Sequence, residues 1–190
     1  DHLQAAHDPW FIKPGDYSTE CNWVDLEDLS PVGLIDPVPA EDISGAKVRL
    51  FVYLQFIWGF HDVLDWCIFT AVPEFRAISL NQLVDLLNSV TGWRTSLFDL
   101  MKAGERGITM ARAFNYIHGF TAKDDALPER FFEPMRAGTL KGHAIDQKKF
   151  YEALALYYGM MGWDEEGSPT RAKLEELGVG WIWERQRQNV

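Results

Sequence analysis

The sequence predicts a mostly α-helical protein, an irregular helical domain with long loops, and three stretches carry that prediction. Residues 48–64 form a dense apolar run whose side chains point all round a helical wheel, which is typical of a helix buried on nearly every side. Residues 80–90, and a stretch that begins near Ser96 and runs through residue 117, instead carry their apolar residues on one side, as amphipathic helices do.

The first stretch has polar residues at both ends. Ser44 is a suitable N-cap, and the run is longer than a strand, although its β-branched and aromatic content leaves a strand as the alternative. A membrane span needs roughly 20 apolar residues without charge, whereas the uncharged run stops at Phe60, before His61, Asp62 and Asp65. We therefore expect a buried helix at the centre of the fold and no membrane span.

Cap signals bound the next helix. Ser79 and Gln82 have the spacing of a capping box, and Gly92 is a stop signal.

Gly104 and Gly107 fall inside the apolar stripe of the helix that follows, where each glycine costs about 1 kcal/mol relative to alanine. They indicate either the close approach of another backbone or a ligand, or a break between two shorter helices.

Loops take up much of the remaining chain. Residues 1–43 hold five prolines and no sustained periodicity, so we expect an extended, loop-rich segment. Residues 120–143 form a second long loop, of a length that in compact domains is often functional or pressed against another surface. Asp146 then caps a helix, and Ser168 followed by Pro169 is a helix start signal.

Length and composition favour one domain over residues 1–190 in a reducing, cytoplasmic setting. The chain of 190 residues can bury a sizeable core, and its apolar content of 47%, with 14% aromatic residues, is rich for a soluble chain. A formal charge of -10 disfavours nucleic acid as a partner, because that binding rests on phosphate neutralisation. The two cysteines, Cys21 and Cys67, lack the density of a secreted disulfide scaffold. The first residue is not methionine, and we expect the chain to be a piece of a longer polypeptide.

One group of residues can carry chemistry: Asp62, Asp65, Trp66 and Cys67, at the end of the buried helix. Carboxylates accept hydrogen bonds from a polar ligand and a thiolate binds iron; the alternative is that these residues only end the helix and pack. A four-iron cluster normally takes four thiolates, so a cluster at this place needs ligands from elsewhere. The sequence contains no phosphate-binding glycine loop, nucleophile elbow or histidine pair at metal-ligand spacing.

Two segments in the second half of the chain carry a family resemblance. They are GERGITMARAFNYIHGFTAKDDALPERFFEP, residues 104–134, and YYGMMGWDEEGSPTRAKLEELG, residues 157–178. In order and spacing they resemble the C-terminal region of the tungsten-dependent aldehyde ferredoxin oxidoreductases. The resemblance implies that this chain is the C-terminal part of a larger multi-domain enzyme.

The resemblance also implies roles for individual residues. In that family a segment Asp-x-x-Gly-Leu-Cys lies just upstream, with its aspartate on the pterin cofactor and its cysteine on a four-iron cluster, and Asp62 and Cys67 stand in those places. Asp65 and Trp66 stand where the family has glycine and leucine, which leaves the geometry of this loop open. His2 resembles a family histidine that lies by the tungsten and handles protons.

For the parent enzyme the resemblance implies oxidation of an aldehyde and water to a carboxylic acid. The implied cofactors are a tungstopterin, or molybdopterin, in bis-pterin form and a 4Fe-4S cluster. The implied partners are the remaining domains of the subunit and ferredoxin or another electron-transfer protein. Assembly of the enzyme into an oligomer is a further possibility. The isolated chain is expected to be inactive and to bind no cofactor. Two alternatives are a cofactor-free helical interaction module and a related tungsten enzyme for another low-potential substrate, such as an aromatic acyl thioester.

Overall fold

The computed structural model describes residues 29–33, 38, 42–67, 78–138 and 140–187. Its helices are α1 (Gly45–Val63), α2 (Leu80–Thr91), α3 (Leu97–Ile117), α4 (Gln147–Met161), α5 (Arg171–Glu176) and α6 (Trp181–Arg187). Short 3-10 turns lie at Ser30–Val32, Ala122–Asp125 and Glu129–Phe131. The described ranges contain no strand beyond an isolated bridge between Trp163 and Pro169. The prediction of a mostly helical fold is confirmed.

Contacts divide the chain into two compact units. Unit 1 comprises Asp1–Asp42 and Arg49–Thr109, and unit 2 comprises Ile43–Val48 and Met110–Val190. The single domain over residues 1–190 stays a prediction, and the predicted extended segment over residues 1–43 lies almost wholly outside the described residues. Among the helices that the structure describes, none combines the length and the hydropathy that crossing a membrane requires.

Helix α1 supplies half of the buried core residues of unit 1, in agreement with the apolar run in the sequence. The helix begins directly after Ser44, and every residue from Phe56 to His61 is buried, so the strand alternative is wrong. Burial of large apolar side chains, rather than helix propensity, is what stabilises such a helix. The buried residues of this core are Leu29, Val38, Leu50, Leu54, Ile57, Trp58, Phe60, Leu80, Leu83 and Leu100.

Helix α2 has both of the predicted caps. The Ser79 side chain accepts a hydrogen bond from the Gln82 N–H at 3.3 Å, and the Gln82 side chain accepts one from the Ser79 N–H at 2.9 Å. Gly92 ends the helix in the left-handed conformation, with a φ of 72°. The Asn88 side chain then bonds both the N–H and the C=O of Thr95, which fixes the turn into α3.

The two glycines inside α3 have different explanations. The helix continues without a break through both, so the interpretation as two shorter helices is wrong. A Cβ at Gly104 would lie 2.1 Å from the Phe56 carbonyl O and 2.9 Å from the Phe60 N, because α1 and α3 approach backbone to backbone there. A Cβ at Gly107 would meet only the Val63 side chain, at 3.6 Å. Close approach therefore requires glycine at position 104 and not at position 107.

The centre of unit 2 is the side chain of Arg112. Its two terminal nitrogens donate to the two carboxylate oxygens of Asp125 at 3.0 and 2.7 Å, and its Nε donates to the Gly167 carbonyl O at 2.7 Å. The guanidinium carbon also lies 5.7 Å from the ring centre of Tyr158 and 5.2 Å from that of Trp163. One planar cation thus joins three separate parts of the chain through a bidentate ion pair, a carbonyl and two aromatic faces.

Tyr158 completes this network, which we call the Arg112 network. Its hydroxyl donates a hydrogen bond to the Asp125 carboxylate. Burial raises the pKa of Tyr158, and the adjacent Asp125 carboxylate raises it further, so the phenol stays protonated as a donor. Arg112, Asp125, Trp163 and Gly167 all belong to the two segments that carry the family resemblance. In this structure those residues form one network of hydrogen bonds and ring contacts inside unit 2.

The long loop over residues 120–143 is held by turns within it and by bonds to the rest of unit 2, such as that from the Ala122 N–H to the Glu166 carbonyl O at 2.9 Å. Thr121 caps the turn Ala122–Asp125, and the Met135 N–H donates to the His143 carbonyl O at 2.9 Å. The sequence predicts the loop but not these turns. The loop ends where predicted, because the Asp146 carboxylate accepts the Lys149 N–H at 3.0 Å and caps α4.

The prediction that Ser168 and Pro169 start the next helix is wrong. Helix α5 begins at Arg171, and its N-cap is Thr170. The Ser168 carbonyl O instead accepts the Asp164 N–H at 2.8 Å, inside the preceding turn. That bond uses the acceptor that an N-cap residue offers to the first turn of its helix, so the start moves to the next residue with a capping side chain.

The contrast between the two α3 glycines can be tested by substitution. We expect Gly104→Ala to lower the free energy of unfolding by about 3 kcal/mol or more, since the added methyl group meets backbone atoms that cannot move aside alone. Gly107→Ala is the matched control and should be neutral or stabilising by up to about 1 kcal/mol, because it gains helix propensity at no steric cost. Urea denaturation of both variants measures the difference, and equal effects would contradict the close approach.

The Arg112 network predicts strong coupling between distant residues. In a double-mutant cycle, Arg112→Ala and Asp125→Ala should show a coupling energy of about 2 to 3 kcal/mol, because the pair is bidentate and largely buried, with side-chain exposures of 10% and 29%. The exposed pair Lys148 and Glu152, 3.7 Å apart, is the control and should couple by less than about 0.5 kcal/mol. Similar coupling in the two pairs would show that Arg112 does not organise the unit.

Candidate functional site

The candidate residues lie where the chain leaves α1 through a Schellman-type cap. The Trp66 N–H donates to the His61 carbonyl O at 2.9 Å, and the Asp65 N–H donates to the Asp62 carbonyl O at 3.2 Å. Both bonds use carbonyl groups that the last turn of a helix leaves without a helical partner. Cys67 follows this turn directly, so the cap fixes where the cysteine backbone begins.

Asp65 occupies the left-handed position of the cap, with a φ of 53°. Within the described ranges it is the one residue other than glycine with a positive φ. Glycine adopts this conformation freely, whereas a residue with a Cβ does so at a cost of about 1 to 2 kcal/mol, and aspartate is among the few that tolerate it. Asp65 therefore adopts the backbone shape that a glycine favours at this position.

The four residues of the cap differ in exposure. Asp62, Asp65 and Cys67 are exposed, whereas Trp66 is half-buried and packs against the core of unit 1. Two exposed carboxylates and an exposed thiol thus lie between positions 62 and 67, at the end of α1. His2 lies outside the described residues, so its predicted place beside them stays a prediction.

His61 is a residue of this region to which the sequence assigned no role. Its side chain is fully buried, with ring centres of Trp58 and Phe60 at 5.3 and 4.8 Å. Neither ring nitrogen has a hydrogen-bond partner in the described part of the chain. Burial lowers the pKa of His61 from 6.5 to about 4, so the ring is neutral at pH 7. One feature of the sequence could have pointed to His61, namely an ionisable residue at the end of an otherwise apolar helix. Burying such a polar side chain costs free energy unless it has a hydrogen-bond partner or ligand.

Two buried polar side chains of this region lack hydrogen-bond partners among the described residues, which plain core packing does not explain. Besides His61, the Trp66 indole Nε1 is buried without an acceptor among the described residues. A buried donor without a partner costs about 1 to 3 kcal/mol, so such groups usually mark a bound water, ion or ligand. A thiol and two carboxylates stand exposed on the same turn. No group of three or more His, Cys, Asp or Glu side chains in the described ranges is placed to hold a metal ion, so further ligands must come from elsewhere.

Comparison with known proteins identifies the family. Residues 5–179 match the family described as "Aldehyde ferredoxin oxidoreductase, domains 2 & 3". The chain belongs to this family. The tungsten-containing aldehyde ferredoxin oxidoreductase of Thermococcus kodakarensis is 39% identical over 140 residues, which are 73% of this chain and 22% of the relative. The enzyme of the same name from Pyrococcus furiosus is 37% identical over the same share of both chains.

A more distant relative and one solved structure extend the comparison. The "Aliphatic sulfonate oxidoreductase, WOR-like subunit" of Pyrococcus furiosus is 30% identical over 132 residues, or 66% of this chain and 20% of the relative. The active-site complex BamBC of benzoyl coenzyme A reductase has the same fold, with a TM-score of 0.65 at 18% identity over 88% of this chain and 28% of that chain. The chain therefore spans about a fifth of the length of these aldehyde ferredoxin oxidoreductase relatives.

The buried imidazole predicts a pH dependence of stability. Since the pKa of His61 falls from 6.5 in the unfolded chain to about 4 in the fold, the unfolded state binds the proton more readily between these values. Stability is therefore complete above pH 6.5 and falls as the pH drops towards 4, by about 3 kcal/mol in total.

Urea denaturation at a series of pH values measures this loss. In His61→Phe the decline between pH 6.5 and 5 should be much weaker, because the titrating group is gone. The exposed His143 provides the control, and His143→Gln should keep the wild-type profile. An unchanged profile in His61→Phe would show that another group causes the loss.

Proposed function

We propose that the chain is the C-terminal part of a tungsten or molybdenum bis-pterin, iron-sulfur oxidoreductase that converts an aldehyde and water to a carboxylic acid. The observation that carries the proposal is the cap of α1, which holds Asp62 and Cys67 exposed on one turn in a backbone shape suited to the family motif. Family membership and the names of the relatives at 39% and 37% identity support the aldehyde reaction.

In the proposed reaction, one aldehyde and one water give one acid, two protons and two electrons. The metal-pterin centre, when bound, supplies the two-electron oxidation, and a 4Fe-4S cluster conducts the electrons onward. This chain contributes position and electrostatics. The Cys67 thiolate would be one of the four ligands of the cluster, and the Asp62 carboxylate would accept hydrogen bonds from the pterin. By the family resemblance, His2 takes up a proton near the metal.

The cap of α1 explains how the segment from Asp62 to Cys67 can contact both the pterin and the iron-sulfur cluster in the proposed enzyme. Asp62 still belongs to the last turn of α1, whereas Cys67 follows the turn that the Trp66 and Asp65 backbone bonds close. The buried core fixes the helix, and the two backbone bonds of the cap fix where the chain leaves it before Cys67. Trp66 anchors the turn between them through its half-buried ring.

A cofactor-free interaction module is the weaker alternative. It rests on Asp65 and Trp66, which replace the glycine and leucine of the family motif. The positive φ of Asp65 argues against it, because the left-handed turn is kept although aspartate makes it costlier. A different substrate is the other alternative, since one relative is named as a sulfonate oxidoreductase and the benzoyl coenzyme A reductase complex shares the fold. The higher identity to the aldehyde enzymes favours an aldehyde.

Partners and compartment follow from the same proposal. The remaining domains of the parent subunit supply the other three cluster ligands and most of the cofactor contacts, and ferredoxin or another electron-transfer protein receives the electrons. Assembly into an oligomer and a reducing cytoplasmic compartment are part of the proposal. The isolated chain, with one cluster ligand of four, is expected to be inactive and without cofactor.

The intact parent subunit tests the proposal. It should contain tungsten or molybdenum in stoichiometric amount together with iron, and it should show the electron paramagnetic resonance signal of a reduced 4Fe-4S cluster. Cys67→Ser should strongly perturb or abolish that signal, because a serine oxygen is a poorer ligand for iron-sulfur iron than a thiolate.

Cys21→Ser is the matched control, and Cys21 lies outside the described residues. Its cluster signal should equal that of the wild type. An intact cluster in Cys67→Ser would remove Cys67 from the proposed site, and a subunit without tungsten, molybdenum or iron would favour the interaction module.

A further inference from the structure

We propose that residues 131–145, a closed loop that we call the arm, are the surface through which unit 2 binds the remaining domains of the parent subunit. The inference rests on the part of the proposed function that makes this chain one piece of a larger enzyme. The arm overlaps the long loop over residues 120–143, whose length in a compact domain indicates a function or contact with another surface.

Main-chain hydrogen bonds close the arm. At its root the Ile145 N–H donates to the Phe131 carbonyl O at 3.0 Å. Further along, the Met135 N–H donates to the His143 carbonyl O at 2.9 Å, and the Gly142 N–H donates to the Met135 carbonyl O at 2.8 Å. The arm therefore has a defined shape before a partner binds, which lowers the conformational entropy lost on binding.

Burial within this chain does not stabilise the arm. Among the described residues from Pro128 to Lys149 none is buried, and Phe132 alone is half-buried, with its ring centre 5.9 Å from that of Phe150. Ordering a loop costs conformational entropy, which the burial of apolar side chains normally offsets. We expect another surface to supply that burial in the arm.

The arm presents large apolar side chains to solvent. Met135 and Leu140 are 51% and 55% exposed, and Phe131 and Ile145 are exposed as well. A single exposed apolar residue is normal on a protein surface and needs no explanation. A group of them on one closed loop, without a buried residue between them in the described part of the arm, marks a contact surface.

The charge of the arm differs in sign from that of the whole chain. The arm carries Arg136 and Lys141 against one carboxylate, Glu133, whereas the chain has a formal charge of -10. All three residues are exposed. A surface that is complementary to the arm therefore has an apolar centre and carboxylates that face the two cations.

The rest of the parent subunit suits this surface better than a second copy of the chain does. The region matched in the Thermococcus kodakarensis relative is 22% of that enzyme, so most of its length lies outside the part that this chain resembles. A two-fold contact between two arms would bring Arg136 and Lys141 of both copies together, and like charges disfavour such a contact. Domains of the same polypeptide are instead present at high effective concentration.

Photo-cross-linking in the intact parent subunit tests the inference. Leu140 is replaced by the photoreactive amino acid benzoylphenylalanine, and the linked peptides are identified by mass spectrometry after irradiation. We expect links from position 140 to residues of the same polypeptide outside positions 1–190, with no change of mass on a denaturing gel. A link to a second copy, to a separate protein or to a residue within positions 1–190 would overturn the inference, as would the absence of any link.

Charge substitutions in the same photoreactive subunit test the predicted acidic partner surface. Lys141→Glu should lower the yield of the expected link severalfold, because it places a like charge opposite the carboxylates. Glu133→Gln is the matched control and should leave the yield unchanged or raise it. Both residues are exposed, so neither change disturbs buried packing. An equal yield in Lys141→Glu and in the unsubstituted subunit would overturn the charge complementarity on which the inference depends.

Metal analysis of the same samples separates this inference from the proposed function. A subunit that contains tungsten or molybdenum with iron but does not form the expected link would overturn the inference alone. A subunit that forms the link but contains none of these metals would overturn the proposed reaction, while the contact of the arm with the remaining domains would be supported.

Discussion

The backbone contact between α1 and α3 is the constraint on which unit 1 and its candidate site depend. The missing side chain at Gly104 allows α3 to lie against the Phe56 carbonyl O, and a Cβ at Gly59 would in turn lie 2.9 Å from the Gly104 O. This approach fixes the last two turns of α1, whose burial is complete from Phe56 to His61. Because the candidate residues follow immediately, their positions are set by packing several residues earlier.

Local signals in the sequence were sufficient for most of the fold. The all-round apolar run predicted α1, and the Ser79 capping box and Gly92 predicted the bounds of α2, because a helix and its caps are encoded within a few neighbouring residues. The helix start at Ser168 was predicted wrongly, since a turn closed by Asp164 competes for the same backbone group. The pattern of residues along the chain does not show which of two structures will use the Ser168 carbonyl group.

Contacts between distant residues could not be predicted from the sequence. Arg112 reaches Gly167, 55 residues later, and nothing in the residues around either one indicates the partner. For His61 the sequence shows the neighbouring Trp58 and Phe60, but only the structure shows that neither ring nitrogen has a hydrogen-bond partner among the described residues. The motifs that made the family recognisable contain the residues of the Arg112 network, whereas the buried Glu105 of the first motif pairs locally with Lys102, on the same helix, at 2.7 Å. They identify the fold, whereas the proposed chemistry depends on the short Asp62 to Cys67 segment.

Two main-chain hydrogen bonds close the cap of α1, and this limits how the motif can vary. Side chains at position 66 can change freely in type as long as they pack, but position 65 accepts only residues at ease with a positive φ. Glycine, asparagine and aspartate meet that condition best, and one of the three is charged. Very few residue types therefore suit position 65. A change from one of them to another can alter the local charge by one unit and leave the path of the chain unaltered.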